Sequence, residues 1–115
     1  MGKIKIEGMH FYAYHGHFEA EQIVGNDFNV DLTKTNCANA AQSDDLTDAL
    51  NYQAVYETVK KEMQQKSRLL ENVAKRILDA LYLSFPAIEK ATVKISKLNP
   101  PMGGQIDKVS VTLSR

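Results

Sequence analysis

The sequence predicts an α+β fold in which two helices cover one face of a four-stranded antiparallel sheet. Alternating apolar residues mark two strands at the start of the chain, and apolar residues at helical spacing mark two helices in its middle. Alternation then returns for two strands at the end. Helices placed between two antiparallel strand pairs pack on the sheet as a second layer. We therefore expect the element order ββααββ.

The first strand pattern changes phase in its middle. Ile4 and Ile6 alternate with charged residues, and the apolar parity then shifts to Met9 and Phe11 across Gly8. One extra residue in a strand produces such a shift, so we predict a β-bulge at Gly8.

The other three strand patterns alternate without interruption, as half-buried antiparallel strands do. Their apolar positions are Phe28, Val30 and Leu32, then Ala91, Val93 and Ile95, and finally Val109, Val111 and Leu113. Cys37 ends the second pattern, and we interpret it as a buried structural thiol rather than a nucleophile.

Two helical patterns lie between the strand pairs. The first has apolar residues at Tyr52, Val55, Tyr56, Val59 and Met63, and the second at Leu70, Val73, Ala74, Ile77, Leu78 and Leu81. Asn51 or Asp48 can cap the first helix, and Ser67 the second. The second helix is expected to end before Pro86.

Length and charge limit the function. A chain of 115 residues fits one domain, expected to span residues 1–115. The 14 basic residues balance the 14 acidic ones, which argues against nucleic acid or an anionic membrane as a partner and favours a small ligand. No apolar run is long enough for a membrane helix, and the chain opens on a strand pattern rather than a signal peptide. A single cysteine, Cys37, excludes an internal disulfide, so we expect a cytoplasmic protein.

The predicted sheet leaves its edges and its outer face open. Long regular edge strands favour pairing with other subunits, so we expect a ring-shaped homo-oligomer. The alternative is a monomer whose outer strand faces are protected by charged residues.

Lys97 lies where the third strand pattern predicts an apolar side chain, because it shares the parity of Val93 and Ile95. Partial burial disfavours the charged form of a lysine and makes it useful for proton transfer. Pro100 and Pro101 then end the strand stiffly. The alternative is that Lys97 merely ends the strand and extends its amine into water.

The connection from Tyr12 to Asn26 is long enough to be functional. It contains His15 and His17, which could be metal ligands together with His10 or a carboxylate. We favour the alternative that these histidines are satisfied by backbone hydrogen bonds and that the chain has no metal site.

Glu71 lies in the first turn of the second helix, at the flank of its apolar stripe. We expect a half-buried carboxylate there, although a surface glutamate favoured by the helix dipole is the common alternative. A carboxylate accepts two parallel hydrogen bonds from a planar amidine-like edge, which aminopyrimidine rings present.

Several short motifs resemble dihydroneopterin aldolase over nearly the whole chain. They are Gly8-Met9-His10-Phe11-Tyr12-Ala13-Tyr14-His15-Gly16, Glu21, Gly25, Asn51-Tyr52, Leu69-Leu70-Glu71 and Lys97-Leu98-Asn99-Pro100-Pro101. The resemblance implies the tunnelling fold, in which four subunits close their sheets into a barrel and two such rings stack into an octamer. It also implies active sites between neighbouring subunits.

The resemblance also implies the roles of five residues. Glu71 and the backbone of Leu70 would bind a pterin, and Lys97 would be the general acid and base. Tyr52 would come from the adjacent subunit to the reacting side chain, which Glu21 helps to hold. Two positions depart from the family pattern. Met102-Gly103-Gly104 replaces a Pro-Gly pair after the prolines, and Asn72 stands where a histidine is common.

The implied reaction is the retro-aldol cleavage of 7,8-dihydroneopterin in folate biosynthesis, without cofactor or metal. Three alternatives remain open. An epimerase of dihydroneopterin or its triphosphate could share the fold, a tetrahydropterin synthase relative would bind zinc through His15 and His17, and a non-catalytic module would only bind the pterin.

Overall fold

The computed structural model describes residues 2–35 and 37–115. Four antiparallel strands form one sheet in sequence order, namely β1 (Lys3–Ala13), β2 (Asn26–Thr35), β3 (Lys90–Leu98) and β4 (Lys108–Ser114). The helices are α1 (Glu19–Val24), α2 (Ala38–Ser43), α3 (Tyr52–Met63) and α4 (Leu70–Ser84). The predicted α+β fold, with four strands and two long helices in the order ββααββ, is confirmed.

The hydrophobic core lies between the two long helices and one face of the sheet. Helix α3 buries Val55, Val59 and Met63, and α4 buries a longer stripe that includes Ile77 and Leu81. These side chains form one cluster with the inward residues of β1, β2 and β3. The alternation in the sequence thus identifies the inner face of each of these strands.

The short elements were not predicted. Helix α1 lies inside the connection between β1 and β2, and α2 and a 3-10 turn (Leu46–Asp48) lie between β2 and α3. None of the three contains a buried residue. Without a buried face they leave no apolar periodicity in the sequence, which explains why the pattern did not reveal them.

The predicted bulge at Gly8 is confirmed. The pairing of β1 with β2 shifts register between Ile6 and Met9. Gly8 has a φ of 71°, which glycine adopts easily, and its N–H donates to Asp31 Oδ1 over 2.7 Å. The shift allows Ile6 and Met9 to face the same core although their parity differs.

The helix ends agree with the predictions in two of three places. Asn51 caps α3 by accepting a hydrogen bond from the N–H of Ala54 over 3.2 Å, so it is the cap rather than Asp48. Helix α4 ends at Ser84, before Pro86. The predicted Ser67 cap is wrong, because α4 begins at Leu70 and the Ser67 hydroxyl donates to Asn72 Oδ1 over 2.7 Å instead.

Cys37 also differs from its prediction. It lies beyond the end of β2, at the start of α2, and it is half-buried rather than buried. The chain leaves the sheet at Thr35, so Cys37 is no longer held against the core.

The sheet has two outer strands, β1 and β4. The helices cover β4 incompletely, so that the inward side chain of Val109 remains 40% exposed. Within residues 2–35 and 37–115, no helix combines the length and the apolar character needed to cross a membrane.

Candidate active site

A cavity of about 630 Å³ lies where the connection after β1, the start of α4 and the end of β3 meet. Four of the five residues singled out above line it, namely Glu21, Leu70, Glu71 and Lys97. Its volume is within the range of small-molecule sites. One chain therefore assembles most of the predicted site.

Lys97 faces the core side of the sheet, as its parity predicts. It is paired with Phe28 on β2 and Val109 on β4, and its side chain is only 13% exposed. The amine lies 5.9 Å from the centre of the Phe28 ring. The alternative, in which Lys97 extends its amine freely into water, is wrong.

The backbone after Lys97 is fixed by its turn. Asn99 has a φ of 50°, and its N–H donates to the carbonyl of Asp107 over 2.8 Å. On the neighbouring strand, Asn26 Nδ2 donates to the carbonyl of Leu98 over 2.7 Å. The end of β3 is thereby tied to both adjacent segments, which limits the positions that the Lys97 side chain can reach.

Glu21 receives a hydrogen bond from the Lys97 amine and forms an ion pair with it. Its side chain is 22% exposed. The hydrogen bond from Lys97 lowers the pKa of the Glu21 carboxyl below its ordinary value, the N–H of Phe18 acts in the same direction, and burial opposes both. The pair places a proton donor and a proton acceptor side by side at the cavity.

Gly16 makes room for Glu21. A Cβ on Gly16 would lie 2.4 Å from Glu21 Cβ and 2.9 Å from Glu21 Oε1. The Gly16 carbonyl also accepts a hydrogen bond from Gln22 Nε2 over 2.9 Å. Gly16 is therefore a supporting residue of the site, and although it belongs to the quoted motif, its role follows only from this tertiary contact.

Glu71 and Leu70 lie in the first turn of α4, with Leu69 as the extended residue before it. The first N–H groups of a helix have no partner within the helix and are available to a ligand. Glu71 is exposed rather than half-buried, which corrects the prediction. Because it is exposed and also lines the cavity, it lies at the rim of the cavity.

Tyr52 does not line this cavity. It is the first residue of α3, and 57% of its surface is exposed. A single chain thus leaves the fifth predicted site residue outside. Its contribution from an adjacent subunit stays a prediction.

The three histidines have separate partners. His10 Nε2 lies 3.2 Å from Asp27 Oδ1, and the His17 ring packs edge-on against Phe18 at 5.1 Å. His15 is 1% exposed, and its Nδ1 accepts a hydrogen bond from the N–H of Ser67 over 3.1 Å. The backbone-bonded alternative is therefore confirmed for His15. No group of three or more potential metal ligands lies together in the part of the chain that the structure describes.

The charge state of His15 follows from its surroundings. Burial, followed by the positive charges of Arg76 and Lys97, lowers the pKa of His15 to about 4, while the backbone of Met63 acts in the opposite direction. An Nδ1 that accepts a hydrogen bond carries no proton, so the neutral ring has its proton on Nε2.

Apolar walls complete the cavity, and single-residue reasoning missed them. Phe18, Met102, Val109 and Val111 all contribute to its lining. The strand pattern predicted Val109 and Val111 as core residues. Because the helices cover β4 incompletely, these two side chains face the cavity instead. The departure at Met102 thus changes the wall of the site. Asn72, the other departure, does not line the cavity, and its Oδ1 accepts a hydrogen bond from the Ser67 hydroxyl.

Comparisons with known proteins identify the family of this chain. The family model described as FolB, dihydroneopterin aldolase, matches residues 4–114. A dihydroneopterin aldolase of Streptococcus pyogenes serotype M18 is 41% identical over 117 residues, covering 100% of this chain and 98% of that protein. The dihydroneopterin aldolase of Bacillus subtilis is 36% identical, with the same coverage of both chains.

A solved structure shows the same fold. The crystal structure of Escherichia coli dihydroneopterin aldolase in complex with neopterin superposes with a TM-score of 0.87 at 26% identity, covering 100% of this chain and 99% of that one. This likeness confirms the tunnelling-fold prediction for the single chain. By its family match and its relatives, this chain belongs to the dihydroneopterin aldolase family.

Proposed function

We propose that this protein cleaves 7,8-dihydroneopterin into 6-hydroxymethyl-7,8-dihydropterin and glycolaldehyde, a step of folate biosynthesis. The observation that carries the proposal is the Lys97–Glu21 pair, which lies in the cavity that Glu71 also lines. The family match and a solved relative described as a complex with neopterin support the substrate class.

Glu71 and Leu70 bind the pterin in this proposal. The Glu71 carboxylate accepts two parallel hydrogen bonds from the aminopyrimidine edge, and backbone groups at Leu70 contact the ring beside it. The apolar walls formed by Phe18 and the two β4 valines suit a flat heterocycle. Binding at the rim of the cavity directs the side chain of the substrate inward to Lys97.

Lys97 transfers protons. Cleavage requires that the 2′-hydroxyl lose its proton while the bond between C1′ and C2′ breaks, which releases glycolaldehyde. The electron pair left on C1′ enters the conjugated C=N bond of the dihydropterin, where N5 becomes protonated. The Tyr52 hydroxyl then assists protonation of C1′, and N5 returns its proton. Because the substrate contains its own electron sink, the lysine needs no Schiff base, and the steps need neither metal nor cofactor.

The assembly that completes the site is part of the proposal. Tyr52 lies outside the cavity of its own chain, and β1 and β4 are both outer strands. Pairing of these strands between subunits would close a tetrameric ring, and two rings would stack into an octamer with Tyr52 from a neighbour at each site. Residues 1–115 act as one domain, and the cytoplasm is the proposed location.

Incubation of the purified protein with 7,8-dihydroneopterin, followed by separation of the pterin products, tests this function. The expected products are 6-hydroxymethyl-7,8-dihydropterin and an equal amount of glycolaldehyde. A product that differs only in the configuration of its side chain would identify an epimerase. Binding without either product would identify a non-catalytic module, and both results would overturn the proposal.

A further inference from the structure

We propose that His15 is a positioning residue of this site. Its imidazole holds the segment that carries Leu70 and Glu71 against the segment that carries Glu21, so that the pterin-binding groups and the acid/base pair keep a fixed separation. This inference rests on the proposed function, since it concerns the distance between the two parts of that site.

Two hydrogen bonds join the segments directly. The N–H of Ser67 donates to His15 Nδ1 over 3.1 Å, and the N–H of Gly16 donates to the carbonyl of Ser67 over 3.0 Å. Ser67 is three residues before Leu70, and Gly16 is in contact with the Glu21 side chain. We call these two hydrogen bonds of Ser67 with His15 and Gly16 the joint. Both the pterin-binding residues and Glu21 lie within a few residues of it along the chain.

The loop that contains Ser67 is fixed on its other side by Arg76. Arg76 Nη2 donates to the carbonyl of Gln65 over 2.9 Å and to Ser67 Oγ over 2.8 Å, and its Nη1 donates to the carbonyl of Glu62 over 3.0 Å. These bonds attach the loop to α4 but do not reach the sheet. The hydrogen bonds between this loop and the β1 end are those of His15 and Gly16 with Ser67. The Lys66 amine also lies 5.9 Å from the centre of the Tyr14 ring.

His15 also contacts the floor of the site. Its ring packs edge-on against Phe28 at 5.4 Å, and the Lys97 amine lies over the same Phe28 ring. His15 is itself part of the cavity lining. The imidazole thus contacts Ser67, which precedes the start of α4, and Phe28, over which the Lys97 amine lies. Its chain neighbour Gly16 contacts Glu21.

The position of the acceptor atom gives a matched test. In His15→Asn the amide oxygen is as many bonds from Cα as Nδ1 is, whereas in His15→Gln it lies one bond further along. We expect the asparagine variant to bind neopterin within about threefold of the wild type, and the glutamine variant to bind about tenfold more weakly because a buried N–H loses its acceptor. KM should rise in parallel, while kcat at saturation changes by less than about threefold.

A second pair tests the donor, and it carries the test if the His15→Gln protein does not fold. Ser67→Ala and Ser67→Pro both remove the hydroxyl, but only proline removes the N–H. We expect weaker neopterin binding for Ser67→Pro alone. Equal affinity in both members of a pair, or a loss in kcat with unchanged KM, would overturn the positioning role.

Hydrogen exchange separates this inference from the proposed function. The amides of Gly16 and Ser67 should be protected in the ligand-free wild type, and the Gly16 amide should exchange faster in His15→Gln but not in His15→Asn. A wild-type protein that leaves dihydroneopterin intact would refute the proposed function. The exchange rates of the Gly16 and Ser67 amides would still test the joint in that case. Unprotected amides in an active wild type would refute the joint alone.

Discussion

The carboxylate of Glu21 accepts a hydrogen bond from the amine of Lys97, although 76 positions separate the two residues in the chain. Both side chains are largely shielded from solvent. Removal of either partner leaves the other charge poorly solvated and unpaired, so we expect either substitution to destabilise the folded chain. The pair is also the part of the site that a single chain forms completely.

Replacement of Lys97 by alanine removes the proposed proton carrier. We expect kcat for dihydroneopterin cleavage to fall by about 10²- to 10⁴-fold, the usual contribution of general acid and base catalysis. Lys90→Ala is the matched control, because Lys90 is exposed at the start of the same strand. A rate assay on both variants decides the role of Lys97, and unchanged turnover in Lys97→Ala would show that the assignment is wrong.

Glu71→Gln keeps the shape of the side chain but replaces one acceptor with a donor that faces another donor. The expected result is a loss of about 10- to 100-fold in neopterin affinity, as for a charge-assisted hydrogen bond that is no longer made. Calorimetric titration measures it, with the exposed Glu57→Gln on α3 as the control. Titration curves that coincide with that of the wild type would exclude Glu71 from pterin binding.

Gly16→Ala places a methyl group where Glu21 now lies. Because the new Cβ would be 2.4 Å from Glu21 Cβ, one of the two must move, and the ion pair with Lys97 should be disturbed. We expect kcat/KM to fall by about tenfold or more, in line with the cost of small displacements at an active site. Gly104→Ala is the control, since, apart from Gly104 and its two chain neighbours, no described residue has a heavy atom within 4 Å of its added Cβ. Equal activity of the two variants would contradict the supporting role of Gly16.

The burial of His15 makes stability depend on pH. Its pKa is about 4 in the folded chain, below the ordinary 6.5. Between these values the unfolded chain binds a proton that the folded chain excludes, so the free energy of unfolding decreases as the pH falls. The expected loss from pH 7 to pH 4 is about 3 kcal/mol. The lowered pKa of Glu21 adds a further loss below its ordinary value of 4.5.

Urea unfolding at several pH values and one protein concentration measures this dependence. The His15→Asn protein should show a flatter profile between pH 6.5 and pH 5, because asparagine does not titrate. Profiles of equal slope in the two proteins would show that His15 does not cause the loss.

The sequence predicted those parts of the fold whose side chains repeat with a clear period. Phe28 and Val30 alternate with polar residues, and the same parity located Lys97 on the inner face. Helix α1 was missed because its Ile23 and Val24 are exposed, so no buried stripe marks it. Periodicity reports burial, and elements without a buried face leave no such record.

The predicted site depended on the resemblance for its residue roles and on the fold for its geometry. Lys97 and Glu21 were both identified, but their contact joins distant segments and follows from no local pattern. Glu71 was expected to be half-buried because it lies at the flank of the apolar stripe of α4, but it is exposed. Whether a residue at the flank of a stripe is covered depends on tertiary packing, which the helical pattern does not report. The joint between His15 and Ser67 was invisible for the same reason, since Ser67 was interpreted only as a helix cap.

The bulge at Gly8 allows the two halves of β1 to alternate in different phases. Residues before it can face the core in one phase and residues after it in the other, because the extra position absorbs the difference. If the same residues paired with β2 in regular register, without the bulge, either Ile4 and Ile6 or Met9 and Phe11 would turn to the outer face. In the second case the segment leading to His15 and Glu21 would rotate with them. Gly8, which does not line the cavity, thereby determines the orientation of the segment that leads to His15 and Glu21.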